Sequence, residues 1–229
     1  MNSQTRREIR FGLIAMVLAG LGYTLSVVVR GPLDRDPAAL MQAVLAPNFV
    51  PGVVIGLIGG VLAIYGDFFG LYRYLTMRDK SLISFLAIVL SPLGLMMFVL
   101  PFVTFLAVNV PVIAELYQQG NQAVLAVFEA TFANPLSLGL LGVTSVTGLI
   151  GTLLFALAMW RDGRLPKWVA VVWALRGLLL VISGPGLFAT ELLGVVLALI
   201  LACVIAWYGW QETASEATIA MTGGQLAQS

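Results

Sequence analysis

A chain of 229 residues that is 60% hydrophobic and only 10% charged lies well outside the composition of water-soluble domains, which are roughly 45–50% apolar and about 25% charged. The expected class is an integral membrane protein. Twelve basic and eleven acidic residues nearly cancel, so net charge points to no class of partner, and nucleic acid is not expected.

Six apolar runs are long enough to cross a hydrocarbon core as helices, each needing about 20 residues. They cover about 11–29, 52–75, 81–108, 136–160, 168–185 and 190–210. In lipid only helices and closed barrels satisfy every backbone polar group. These runs are too continuous for barrel strands, which alternate over roughly ten residues. The fold class is therefore all-α, a polytopic transmembrane bundle of six helices forming a single domain over 1–210. The first run follows RREIR, as the h-region of a signal peptide would. It is nearly twenty residues long and ends in LSVVVRGP without a small-x-small site, so a retained helix is expected.

Two longer loops carry helical patterns of their own. Residues 37–49, PAALMQAVLAPNF, read as a short helix opened by Pro37 and closed near Pro47. Residues 111–133 read as a second helical stretch broken at Gly120-Asn121. Both are expected to lie as interfacial helices on the outer surface. The polar tail 211–229, QETASEATIAMTGGQLAQS, lacks basic residues and is expected to be a disordered cytoplasmic tail.

Orientation follows the basic residues. Arg6, Arg7 and Arg10 precede the first span. Arg73, Arg78 and Lys80 follow the second, and Arg161, Arg164 and Lys167 follow the fourth. These three places share one side, whereas the other side has only Arg30 and Arg35, flanked by Asp34 and Asp36. Both termini are thus expected in the cytoplasm, with the chain multi-pass in a bacterial inner membrane.

Glycines recur on two spans. Gly52, Gly56 and Gly60 repeat every four residues, followed by Gly66 and Gly70. Gly139, Gly142, Gly148 and Gly151 are interleaved with Thr144, Ser145 and Thr147. Small residues at this spacing let helix backbones approach closely, which predicts tight packing of helices two and four; a hydroxyl strip lining a cavity is the alternative. Pro92 and Pro101 are expected to kink helix three. GLIGGVL at 56–62 echoes GLIGTLL at 148–154, and SPLGL at 91–95 echoes SGPGL at 183–187. QAVLA also occurs twice, at 42–46 and 122–126, but at a different offset. Such short matches arise easily in an apolar alphabet, so a true repeat stays open.

Two charges fall inside the spans. Arg176, in VVWALRGLLLV, is eight residues beyond Trp168, roughly 12 Å deep at 1.5 Å per residue. Asp67, in IYGDFFG, is six residues before Arg73, roughly 9 Å from the same side. A central arginine costs about 2.5–3.5 kcal/mol on insertion scales and usually pairs or faces water. Helical Cβ atoms lean toward the N-terminus, so on antiparallel spans these two side chains lean toward each other. An Asp67–Arg176 intramembrane ion pair is one expectation; snorkelling of Arg176 to the headgroups is the other. Glu191 lies at the start of the last span, where it suits the positive end of a helix dipole.

Absences narrow the chemistry. No histidine means no bis-histidine haem site, zincin motif or serine–histidine pair. Both lysines lie in loops, Cys203 is the single cysteine, and Asp67 has no second aspartate at its depth. No catalytic residue, metal site or cofactor is expected, and the chain reads as not an enzyme.

The segment MWRDGRLPKWVAVVWALRGLLL, 159–180, resembles a stretch in an uncharacterised family of bacterial six-helix membrane proteins. There a G-x-[IL]-P-[RK]-W loop joins helices four and five, matched here by Gly163, Leu165, Pro166, Lys167 and Trp168. The resemblance implies a six-helix fold and an inner-membrane setting but no activity. The same residues have a physical reading: Pro166 starts a helix, while Lys167 and Trp168 anchor it at the interface. The leading expectation is a non-catalytic interaction or accessory subunit, with the bilayer, a second copy or another membrane protein as partner. The alternative is a small transporter or channel for an apolar or weakly polar solute, using Asp67 and Arg176.

Overall fold

The computed structural model describes residues 3–34, 36–77, 81–182 and 186–226; Arg35, Arg78 and Lys80 fall outside them. Among the described residues the chain is all-α, without strands. The helices are α1 Ser3–Arg30, α2 Pro37–Val44, α3 Phe49–Leu75, α4 Leu82–Thr104, α5 Val110–Gln118, α6 Ala123–Ala133, α7 Pro135–Asp162, α8 Lys167–Ile182 and α9 Phe188–Leu226. Four of them, α1, α3, α7 and α9, are long and apolar enough to cross a membrane.

Helix ends fall where local chemistry stops or starts the backbone ladder. Asp36 accepts the Ala39 N–H at 3.0 Å ahead of Pro37, and Asn134 accepts the Leu136 N–H at 2.8 Å ahead of Pro135. Both are side-chain caps followed by a proline that lacks the orphan donor. At the far end of α7, Gly163 takes φ 72°, the left-handed turn that glycine adopts without strain. The expected break at Gly120-Asn121 separates α5 from α6. α4 runs past Pro92 and Pro101 as continuous helix and then widens into π turns at Phe105–Asn109.

The long helices form a ring. α1 packs on α3, α3 on α4, α4 on α7, α7 on α8, α8 on α9, and α9 closes back on α1. The α1–α3 contact is backbone against backbone. A Cβ added at Gly52 would meet Arg30 N at 2.6 Å, and one at Gly56 would meet Ser26 Oγ at 2.6 Å. A Cβ at Gly66 would meet Met16 N at 2.8 Å, and one at Gly70 the Gly12 carbonyl carbon at 2.7 Å. Gly60 is buried in the same helix. On α7, Gly148 lies against Gly94 of α4, while a Cβ at Gly151 would approach Ser91 Cα at 2.7 Å. Helices two and four of the sequence reading thus pack tightly, but each against its predecessor rather than against the other. Several of these glycines are met by glycine or serine, namely Gly12, Gly22 and Ser26 on α1 and Ser91 and Gly94 on α4, while Gly52 meets Arg30 and Gly66 meets Met16.

The outside of the ring is apolar. On α1, Phe11, Ile14, Leu18, Leu21, Leu25 and Val28 form an exposed stripe at helical spacing, opposite buried Leu13, Met16 and Ala19. Buried polar side chains include Ser26, Ser84 and Thr144. An exterior this apolar far exceeds the patches that water-soluble monomers expose.

Arginines close both ends. At one end Arg30 reaches Glu191 at 2.8 Å, so Glu191 has a direct cationic partner at the helix start where dipole attraction was expected. Beside it α2, α5 and α6 gather over the ring, with Met41, Val44, Phe49, Val110, Ala114 and Phe128 in one buried cluster. At the basic end Arg164 bonds Asp162 at 2.7 Å and the Tyr74 carbonyl at 2.6 Å, and lies 3.5 Å from Glu212. Its guanidinium also stacks 4.3 Å from the Tyr74 ring centroid. Burial alone would lower the pKa of Arg164, but the hydrogen bond to Asp162 and the charges of Asp162 and Glu212 outweigh it and hold the group above its ordinary value.

The tail departs from expectation. α9 continues through Leu226 instead of ending near 210. Thr213 is fully buried and accepts from Arg10 Nε at 3.0 Å, and Glu212 faces Arg164. Side-chain anchoring to two other elements supplies the ordering that a polar tail lacks alone, so the packed part extends through Thr213. Residues 227–229 lie outside the described residues.

The seam carries a direct test. Gly12→Val forces a side chain into the α3 backbone and should cost about 3 kcal/mol by overpacking. Gly142→Ala, at a position with nothing within 4 Å, should stay within about 0.5 kcal/mol of the parent. Thermal unfolding in detergent measures both; an equal effect of the two would sink the seam.

Candidate functional site

Among the ring helices lies a small void bordered by two charged and several apolar side chains. Asp67 is carried on α3 where the helix widens into π turns over Gly66–Tyr72. Such wide turns are rare and tend to occur at functional positions. From α4, Ser91 Oγ donates to Asp67 Oδ2 at 3.3 Å. α8 contributes Trp173 and Arg176, which are three residues apart and therefore share a face. The Arg176 guanidinium carbon lies 5.0 Å from the Trp173 ring centroid, a cation–π contact. Trp173 is itself held edge-on against Phe155, with centroids 6.4 Å apart. α1 brings Tyr23 to the same place.

The space between these groups exists because the rest of the wall is small. Ala19, Gly20, Ala63, Ala198 and Ala202 line it together with Met16, Tyr23, Asp67, Trp173 and Arg176. Its volume is about 30 Å³, enough for one or two water-sized species, each needing about 10–15 Å³. Asp67 and Arg176 thus border one cavity, as their opposing helix directions lead one to expect, but without a direct nitrogen–oxygen contact between them. Asp67 leans on Ser91 and Arg176 on Trp173. Their charges interact across the gap.

The wall is rich in donors. Tyr23 Oη, Trp173 Nε1 and Arg176 Nε are all buried and find no hydrogen-bond partner in the protein. A buried donor without a partner costs about 1–3 kcal/mol. Three such donors belong to residues that line this void together with Asp67. No group of three or more His, Cys, Asp or Glu among the described residues is arranged to hold a metal ion.

The other residues singled out by sequence stand elsewhere. Gly52, Gly56, Gly60 and Gly148 lie at helix contacts or in the packed interior. Pro166, Lys167 and Trp168 sit at the basic end: the Pro166 carbonyl accepts the Val169 N–H at 2.9 Å, Lys167 Nζ lies 5.0 Å from the Trp160 ring centroid, and Trp168 is exposed. Sequence reasoning missed Tyr23, Ser91 and Trp173. Tyr23 left a signal, a phenol thirteen residues past Arg10 where the interface should be far behind. Ser91 and Trp173 left none, since a serine or tryptophan at that depth is unremarkable until its neighbours are known.

No protein-family model, no curated protein and no solved structure matches this chain.

Two charges that share a cavity should be coupled. Asp67→Asn and Arg176→Gln should each cost about 3 kcal/mol, because each leaves the other charge uncompensated. The double variant should lose less than the sum of the singles by about 1 kcal/mol. A thermal-unfolding double-mutant cycle in detergent measures this, and strict additivity would show that the two residues act independently.

Proposed function

We propose that the protein is a six-span inner-membrane transporter or channel for a small, weakly polar solute, with both termini cytoplasmic and with Asp67 and Arg176 at its binding site. The observation that carries this reading is the cavity itself. Asp67, Arg176 and Tyr23 converge on one void inside the helix ring, although an ionisable group at such depth is expensive and a lining of small apolar residues would remove that expense.

α4 and α8 supply the two further spans beyond the four long apolar helices. With 23 residues, α4 is about 34 Å long, enough for a core of about 30 Å. With 16 residues, α8 reaches about 24 Å, and Lys167 with Trp168 at its start extends its reach into the headgroups. The cavity admits only a water-sized species as it stands, so passage of a larger solute requires the ring to open. The π turns around Asp67 are where α3 can tighten to ordinary helix and re-aim the carboxylate. Nothing in this reading asks for bond chemistry, a cofactor or a metal.

A second reading, an accessory subunit, draws support from α7. Gly139 and Gly142 face open space there, between exposed Leu138, Leu140 and Val143, the surface on which another membrane helix could pack closely.

Two measurements separate these readings. In a Cys203→Ser background, Ala63→Cys on the cavity wall should react with a small cationic methanethiosulfonate, whereas Leu18→Cys on the exposed apolar stripe should not. No reaction at position 63 under any condition would remove the transport reading. Mass spectrometry of the intact assembly in mild detergent is expected to find this chain alone. A stoichiometric foreign subunit would favour the accessory role instead.

A further inference from the structure

We propose that the arginine-lined pocket between the start of α1 and the middle of α9 binds the phosphate group of an anionic phospholipid. This inference is independent of the cavity around Asp67.

The pocket holds about 320 Å³ and is walled by Arg6, Arg7, Arg10, Phe11, Ile14 and Trp210. Arg6 and Arg10 are one helical turn apart and Arg7 lies between them in sequence, so three guanidinium groups border one opening. The Arg6 Nε is buried there without a partner in the protein. Arg10 is held in place from behind: its Nε donates to Thr213 Oγ1 at 3.0 Å, and its guanidinium stacks 4.6 Å from the Trp210 ring centroid. The nearest carboxylate on the helix, Glu8, is drawn away to Arg73 at 3.2 Å and takes no part in the wall. The pocket is therefore positive and free of lining carboxylates. Guanidinium groups match phosphate oxygens with paired hydrogen bonds.

The same phosphate chemistry could come from a soluble ion or from a lipid, and the floor favours the lipid. Phe11, Ile14 and Trp210 are exposed apolar side chains. Phe11 and Ile14 begin the stripe that continues along α1 through Leu18 and Leu21. A headgroup seated among the arginines would thus leave its acyl chains lying along that stripe. A free phosphate would use none of it. Basic pockets at the ends of membrane helices suit anionic headgroups for this reason.

The test uses the full-length protein, delipidated in a neutral detergent, with photoreactive phosphatidylglycerol and photoreactive phosphatidylcholine as probes. Phosphatidylglycerol should crosslink to residues 3–14 and around Trp210, with phosphatidylcholine labelling them weakly, and inorganic phosphate should not displace the lipid. Arg6→Gln/Arg7→Gln, which leaves the Arg10–Thr213 bond intact, should weaken phosphatidylglycerol binding about thirtyfold by native mass spectrometry, given the contribution of two arginines. Equal labelling by both lipids, or unchanged affinity in the variant, would overturn the proposal. Full displacement by millimolar phosphate would also overturn it, in favour of a soluble anion. Should the double variant fail to fold, Arg7→Gln alone changes an exposed side chain and should still cost about fivefold, while the crosslink map of the unmutated protein needs no variant.

Discussion

At Gly12 and Gly70 the backbones of α1 and α3 touch, and the placement of the other helices follows from that contact. With glycines at the seam the two backbones approach closely: a Cβ added at Gly12 or Gly70 would collide with the facing helix. Their remaining faces are then turned outward, α1 toward α9 and α3 toward α4. Tyr23 and Asp67, close to this seam on either helix, are carried to the interior by it. In a hydrocarbon surrounding such contact gains nothing from expelling water; its strength is dispersion and close fit, which is why one β-branched side chain there should be so disruptive.

Closing the ring solves a problem that the composition creates. Nearly every helix is apolar on all sides, so hydrophobicity alone cannot say which face points in. Polar groups supply the missing instruction. Arg30 with Glu191 at one end, and Arg164 with Asp162, Glu212 and the Tyr74 carbonyl at the other, tie helices that are far apart in sequence. Arg164 is the more connected of the two, since it also donates to the Tyr74 and Leu75 carbonyls at the end of α3. These ties hold the ring in register from both ends, while the interior keeps a cavity with unpartnered donors.

Arg30 and Arg164 each make short ion pairs, although Arg30 Nε is itself buried without a partner. Around the cavity Asp67 and Arg176 border one space without touching, and Tyr23 Oη, Trp173 Nε1 and Arg176 Nε find no partner in the protein. A purely structural ion pair would be expected to close the gap, because close approach is what offsets the loss of hydration.

By itself the sequence determined where the long apolar helices lie and several of their ends, though not the end of α9, expected near 210 and continuing through Leu226. Apolar runs of about 20 residues, with Pro37, Pro135 and Gly163 at their boundaries, mark local events that backbone sterics and solvation decide without reference to neighbours. Depth counted from basic residues also singled out Asp67 and Arg176. What only the tertiary structure decided was rotation and partnership: that α3's glycines meet α1, that α7's meet α4, that Tyr23, Ser91 and Trp173 join the cavity, and that Glu212 and Thr213 anchor a segment reading as loose tail. Periodicity along one helix cannot reveal these, because in an apolar alphabet each face is equally acceptable to lipid. The choice among faces depends on where a glycine finds another glycine and a charge finds its partner, and those matches lie between segments up to two hundred residues apart, as Arg10 and Thr213 do.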